Sequence, residues 1–366
     1  MKVVQILPDL DGGGVERGTL EVASALVQAG HQSLVISAGG QMVAELEADG
    51  SEHIQWDLGH KSLFTFRHIW ALRRWLREQK PDIIHVRSRL PGWVVYLAWQ
   101  GLPANDRPGL VTTVHGLYSV SRYSAIMAKG ERVIAVSETV KRYIADNYPD
   151  TDMARVQVVF RGIEPDRFPR GYQPDAAWLK QWQTDYPQLT GKKVITLPGR
   201  LTRLKGHHDL IDLIEALASQ GEPVHGLIVG GEDAKRKAYA EELYRTVAER
   251  GLEQHITFTG NRRDIREIYA VSDLVLSLST KPESFGRTSL EALSLGVPLV
   301  GYDHGGVSEI LAALFPAGRV PLKDSQALLQ TVSQLLQQPQ QPAGNDRFLL
   351  QTMLSQTLAV YQELRP

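Results

Sequence analysis

"DLVLSLSTKPESFGRTSLEALSLGVPLVGYD", residues 273–303, decides the fold class. An apolar run, DLVLSLS, leads into the loop TKPESFG. The good helix formers of RTSLEALSLG follow, closed by Gly296, and then a second apolar run, PLVGYD. Strand, loop, helix and strand in that order form a βαβ unit of a parallel sheet, with Gly296 just past the helix end. The loop between strand and helix then lies at the carboxyl edge of the sheet, where α/β folds bind ligands.

The same alternation runs outward in both directions. VVQIL, SLVIS, IIHV, LVTTVHG, RVIAVS and VQVVF precede a stretch broken by Pro165, Pro169, Pro174 and Pro187, and KVITLPG, HGLIVGG and ITFTG follow it. Short Val- and Ile-rich runs bounded by turn residues are buried parallel strands, and two such series predict two doubly wound α/β domains. The boundaries predicted are an amino-terminal Rossmann-like domain over 1–168, a linker over 169–190 and a second Rossmann-like domain over 191–344. A helical tail over 345–366, introduced by the Gln/Pro-rich QQPQQPAG, is expected to pack back on the first domain. The two carboxyl edges are expected to face each other across one cleft.

Composition narrows the function. A chain of 366 residues is long enough for two cores, and 43% apolar with 22% charged residues is ordinary for a globular protein. The net charge of -1 argues against a nucleic-acid footprint, so no nucleic acid is expected as a partner. With no cysteine there is no disulfide framework, thiolate nucleophile or cysteine zinc site, which suits a reducing cytoplasm. Met1 runs directly into VVQIL, and neither a signal peptide nor a transmembrane helix is expected.

In the opening stretch the backbone amides of Gly286, Arg287 and Thr288 begin a helix and form an anion site, which Gly286 lets a phosphate approach. Glu283 lies on the loop side of it and Glu291 one turn and more inside the helix. A diphosphate on the amides would bring a sugar to Glu283 and a ribose to Glu291, since carboxylates accept well from vicinal hydroxyls. LPGRLTRLKG carries Arg200 and Lys205 on a strand-to-helix turn, from which both can reach one diphosphate and stabilise its charge as it departs. Arg203 between them has no evident role. LPDLDGGGVERG puts Gly12, Gly13 and Gly14 at a similar turn, but the second strand ends ISAGG without the acidic residue that the dinucleotide fingerprint requires. His115 ends the strand TTVHG at the same edge. Ser137 of AVSE stands at another strand end, where it either meets substrate or caps the next helix.

Taken in order, these motifs resemble the retaining nucleotide-sugar glycosyltransferases of family four, with the GT-B fold. Glu283 and Glu291, eight positions apart, match that family's paired glutamates. The resemblance implies a metal-independent hexosyltransferase that needs no cofactor beyond its nucleotide diphosphate sugar co-substrate. It implies catalytic roles for His115, Arg200, Lys205 and Glu283. It implies a donor site formed by Gly13, Gly14, Gly231, Arg262, Ser284, Phe285, Gly286, Arg287, Thr288 and Glu291. Glu16, Arg17 and Ser137 are the candidates for acceptor contact. VVFRGIEPDRF is similar to the family's Asn-Gly-Ile-Asp segment, with Arg161 in place of Asn and Glu164 in place of Asp. GYDHGG, with Gly305 and Gly306, is a further loop near the donor. A nucleotide-sugar 2-epimerase of GT-B shape and a non-catalytic sugar-nucleotide binding protein are the two rival readings.

The expected acceptor is a cell-envelope glycan, such as lipopolysaccharide core, built at the cytoplasmic face. HKSLFTFRHIWALRRWLREQKP, residues 60–81, suggests how the enzyme would reach it. Phe66, Ile69, Trp70, Leu72 and Leu76 form an apolar side, while Arg67, Arg73, Arg74, Arg77 and Lys80 crowd the remainder. Such a helix is expected to rest peripherally on the anionic surface of the inner membrane.

Overall fold

The computed structural model describes residues 1–60, 62–232 and 237–364, and the chain divides into two compact units, residues 1–162 with 350–366, and residues 163–349. Lys61, at the start of the predicted basic helix, lies outside the described residues, as do positions 365 and 366 of the predicted tail.

The first unit holds a seven-stranded parallel sheet in the order β3-β2-β1-β4-β5-β6-β7. Its strands are β1 (Lys2–Ile6), β2 (Gln32–Ser37), β3 (Glu52–Gln55), β4 (Ile83–Val86), β5 (Gly109–Val114), β6 (Arg132–Ala135) and β7 (Val156–Val158). Between them run α1 (Gly14–Gln28), α2 (Val43–Ala48), α3 (His68–Gln79), α4 (Arg89–Gln100) and α5 (Glu138–Asn147). Every residue of β4 and β5 is buried, as expected for strands covered on both faces.

The second unit holds a six-stranded parallel sheet in the order β10-β9-β8-β11-β12-β13. These strands are β8 (Lys193–Pro198), β9 (Val224–Val229), β10 (Ile256–Gly260), β11 (Leu274–Ser277), β12 (Leu299–Tyr302) and β13 (Arg319–Val320). The helices are α6 (Ala176–Asp185), α7 (His207–Ser219), α8 (Lys237–Glu249), α9 (Ile265–Ala270), α10 (Arg287–Ser294), α11 (Gly305–Leu314) and α12 (Ser325–Gln337). The last helix, α13 (Leu350–Leu364), belongs to the first unit. Met353, Thr357, Val360 and Tyr361 are its buried stripe, and three of them pack with Val3, Val22 and Ile83.

In each sheet the strand order reverses beside the first strand, between β1 and β4 and between β8 and β11. These are the switch points at which doubly wound sheets open a crevice for ligands.

Several details differ from the sequence reading. The stretch read as a linker contains α6, whose Trp178 and Trp182 stack at 5.0 Å and continue into Tyr186 at 4.4 Å. This ladder packs on Leu189, Val194, Leu227 and Ile268 of the second unit. The prolines flank the helix rather than interrupt it, and aromatic residues four apart supply its buried face. The edge strands β3 and β13 carry little apolar pattern and were not predicted. The basic segment is a 3₁₀ turn over Leu63–Arg67 followed by α3, which ends at Lys80 with φ 44 ahead of Pro81. Ile69, Leu72 and Leu76 face the core, whereas Trp70 is 70% exposed and so leaves the predicted apolar side. Among the described residues no helix is long and apolar enough to cross a membrane.

Candidate active site

At the switch point of the second unit, two loops are pressed together by glycine. The loop after β8 ends at Gly206 with φ 73, where a methyl group would lie 2.6 Å from Leu278 Cβ. Only a residue without Cβ lets that loop close on the end of β11. Thr280 N–H then donates to Leu204 O at 2.8 Å. The result is an ion pair, Lys205 Nζ to Glu283 Oε1 at 2.6 Å, to which Ser279 Oγ adds a hydrogen bond at 2.5 Å. His304 Nε2 donates to Ser279 O at 2.7 Å and holds that serine in place.

The Glu283 backbone is tied to the start of α11, since Gly306 N–H donates to its carbonyl at 2.8 Å. Gly305 adopts φ 64, and a methyl group there would fall 2.7 Å from the same carbonyl. The Gly-Gly pair thus serves the approach of two protein segments. Burial pushes the Glu283 carboxyl up, but the Lys205 charge and the hydrogen bonds from Lys205 and Ser279 outweigh it and hold the group below its ordinary value.

Three residues on, Gly286 precedes α10 with φ 108, and a methyl group on it would meet Val307 Cγ2 at 2.7 Å. Gly286, at the N-cap, has no side chain with which to cap this helix. Arg287 Nε pairs with Glu291 Oε1 at 3.3 Å along the helix. The Tyr269 hydroxyl, on α9, is buried and has no hydrogen-bond partner among the described residues. Burial first, then the charges of Glu291 and Glu283, raise its pKa well above that of an ordinary tyrosine.

The other second-unit candidates are placed as follows. Arg200 is exposed on the β8 loop, and among the described residues its side chain has no partner. Leu201 N–H donates to Gly231 O at 3.0 Å, which sets the end of β9 beside that loop. The Arg262 guanidinium is spent on Asp264 at 2.6 Å, and Trp178 Nε1 donates to the same carboxylate at 2.8 Å. The pair braces α6. Phe285 is 5% exposed and packs edge-on against Phe348 at 5.8 Å, so its side chain belongs to the core. Ser284 and Thr288 are half-buried on the loop and on the first turn of α10. Arg203, without a role in the sequence, pairs with Glu242 and lies 4.9 Å from the Tyr239 ring centre.

In the first unit, α1 begins at Gly14 behind Gly12 (φ 157) and Gly13 (φ 145). The Glu16 carboxylate curls back over this loop, 2.5 Å from where a Gly13 methyl group would sit. Burial raises its pKa, and Asp9 and Asp11 add to the effect against the pull of backbone amides. Arg17 is paired with Glu45 of α2. Ser137 is fully buried, and its hydroxyl accepts from Val140 N–H at 3.1 Å, so of its two readings the structure displays the helix cap.

His115 lies just past β5, and Arg161 Nη2 reaches its Nδ1 at 2.7 Å. Below this pair Arg87 is buried, with Nε donating to Gln5 Oε1 at 2.9 Å. His85 is clasped by Tyr361 and Thr113 at 2.6 Å each. Burial pushes both histidines well below their ordinary value, and Arg87 and Arg161 act in the same direction. Sequence reading missed Arg87, His85, Tyr269, Ser279 and His304. IIHV and IREIYA read as plain strand and helix, and in DLVLSLS and GYDHGG the reading fell on neighbouring residues.

Comparison with known proteins follows the same division. Residues 12–167 match the family described as Glycosyltransferase Family 4, and residues 180–346 the one described as Glycosyl transferases group 1. Spore coat protein SA of Bacillus subtilis (strain 168) is 23% identical over 318 residues, which are 83% of this chain and 80% of that protein. The chain spans 60%, 53% and 62% of the length of three further curated relatives. Among solved structures, the glycosyltransferase from Rickettsia africae ESF-5 superposes with a TM-score of 0.85 at 28% identity, covering 99% of this chain and 98% of that one. Anabaena HepE, solved in complex with UDP and glucose, gives 0.81 at 21% identity, with 99% and 100% covered. Two parallel-sheet, Rossmann-like domains are the architecture of these GT-B structures.

Proposed function

We propose, from the premise that this chain belongs to the glycosyltransferases, Family 4 in its first half and group 1 in its second, that it transfers a hexose from a nucleotide diphosphate sugar with retention of configuration and without a metal ion. The observation that carries this reading is the Lys205–Glu283 pair at the switch point of the second sheet, beside the start of α10 behind Gly286. In this reading the α10 amides hold the diphosphate, Glu283 accepts from sugar hydroxyls, and Glu291 accepts from the ribose. Arg200 and Lys205 stabilise the charge that builds on the departing nucleotide.

The bond from the anomeric carbon to the phosphate oxygen breaks with its electron pair leaving on the diphosphate. The acceptor oxygen bonds that carbon from the same face, and its proton passes to the departing phosphate oxygen. The protein's share is then position and electrostatics.

For the acceptor we propose a cell-envelope glycan on a lipid carrier, such as lipopolysaccharide core, reached from the inner face of a membrane. The outward side of α3 supports this. Trp70 and Phe64, 70% and 78% exposed, stand among Arg67, Arg74 and Arg77, all exposed as well.

Thermal-shift titration with UDP-, GDP- and ADP-sugars tests the donor, UDP-glucose first, since HepE is solved with UDP and glucose. A true donor at 100 times its Kd raises stability by about 2.7 kcal/mol. Transfer to a glycan acceptor is expected to persist in EDTA. No shift with any of the three donor classes, or a strict need for a divalent cation, overturns the reading.

A further inference from the structure

One ring nitrogen at the carboxyl ends of β4, β5 and β7 has its protonation state set by a neighbour that can only donate. The Arg161 guanidinium rests against α1 at Gly18, where a methyl group would fall 3.0 Å from Cζ, and its Nη1 lies 3.9 Å from Met353 Sδ on α13. From this seat Nη2 meets His115 Nδ1 at 2.7 Å. A guanidinium has no acceptor, so Nδ1 is the bare nitrogen of the ring and a neutral ring carries its proton on Nε2. His115 Nε2 is buried and has no hydrogen-bond partner among the described residues. Arg87 and His85, from β4 and its end, also act on the ring, Glu21 of α1 acts on Arg87, and the Tyr118 hydroxyl accepts from the His115 backbone N–H at 3.3 Å. The Arg161 and Arg87 cations both act against an imidazolium.

We propose that Arg161 is a positioning residue that locks His115 as the neutral Nε2–H tautomer, so that the ring presents one fixed donor to a hydroxyl oxygen of the sugar substrate. The substrate half of this inference rests on the glycosyl-transfer reading; the tautomer half does not. Position 161 holds Asn in the segment that this stretch is similar to. A carboxamide both donates and accepts, and would leave both tautomers open. Arginine removes the choice. A donor fixed in this way keeps its proton across the range in which an ordinary histidine titrates.

The test begins with the full chain carrying ¹⁵N-labelled histidine. Between about pH 5.5 and 8, the range that spans ordinary histidine titration, long-range ¹H–¹⁵N spectra are expected to show His115 with a bare Nδ1 and a protonated Nε2 throughout. Arg161→Gln is expected to mix the tautomers and let the ring titrate, and Arg161→Lys, again donor-only, to restore the single tautomer. In transfer assays the wild-type kcat/KM is expected to stay flat in this range. Arg161→Gln gains an acidic limb and loses about tenfold, the worth of one hydrogen bond, with Arg161→Lys between the two. A proton on Nδ1, an imidazolium in the wild type, or an Arg161→Gln protein with unchanged spectra and pH profile overturns the proposal. If Arg161→Gln fails to fold, the wild-type and Arg161→Lys spectra decide alone. A locked tautomer in a protein that transfers no sugar refutes the transfer reading and leaves the tautomer assignment standing.

Discussion

Glu283 keeps its charge in a half-buried place because Lys205 stands 2.6 Å away. Its folded pKa lies below the ordinary value, so the pair's stabilisation is present above about pH 4.3, the unfolded glutamate's pKa, and is lost as pH falls through the folded value. Lys205→Met removes the opposing charge and leaves burial to act alone. The Glu283 carboxyl, followed by ¹³C NMR, is expected to titrate above its ordinary value, and folding to weaken by about 1–3 kcal/mol at neutral pH. A carboxyl that still titrates low would show that Ser279 and His304 suffice. Glu291 offers a second test at this scale. Glu291→Ala is expected to weaken nucleoside diphosphate binding by about 1.5–3 kcal/mol, the worth of a charge-assisted hydrogen bond. Calorimetry with UDP, GDP and ADP checks it, and unchanged affinity for the one that binds removes the ribose role. Both glutamates were legible in the sequence because spacing on a loop and helix placed them. Tyr269, whose pKa both of them raise, was not, since a tyrosine in a short amphipathic helix reads as core.

At the scale of the element, α3 shows how a helix divides its two sides. Ile69, Leu72 and Leu76 bury inward, and Arg73 turns back to donate to Ala98 O and Leu97 O at 3.3 and 3.2 Å, closing the carboxyl end of α4. Arg67, Trp70, Arg74 and Arg77 recur at helical spacing on the solvent side, with Phe64 just ahead. Aromatic rings among arginines suit the interface of an anionic bilayer, where each basic residue is worth about 1 kcal/mol. The chain is expected to sediment with anionic vesicles at low salt and to be released at high salt. Arg67, Arg74 and Arg77 changed together to Gln, or Trp70→Ser, are expected to reduce binding. Arg73→Gln is expected to cost stability rather than binding. No sedimentation at low salt would return this face to ordinary solvent contact.

Across the whole molecule, four buried histidines make stability depend on acid. Burial lowers His207 to about 4, with His208 and Lys205 adding to it, and lowers His225 to about 4, with His255 and Lys192 adding. His85 and His115 lie well below the ordinary value for the same first reason. A histidine depressed on folding leaves stability intact above its unfolded pKa of about 6.5 and removes it as pH falls toward the folded value, by about 1.4 kcal/mol per pH unit for each ring. Denaturant midpoints at pH 7 and pH 5 are expected to show this loss in both units, and an unchanged midpoint would mean that the folded rings are protonated. By itself the sequence determined the two α/β series, the loops after β8 and β11 and the helix behind Gly286, because these rest on local pattern: apolar runs of strand length, glycine at turns, carboxylates at helical spacing. Tertiary structure alone decided that Gly206 and Gly305 serve loop-to-loop contact, that Arg262 and Phe285 face their own unit, and that Arg161 meets His115 across 46 positions. Which side chains meet depends on strand order and on burial that several distant segments build together, and no local window of sequence carries either.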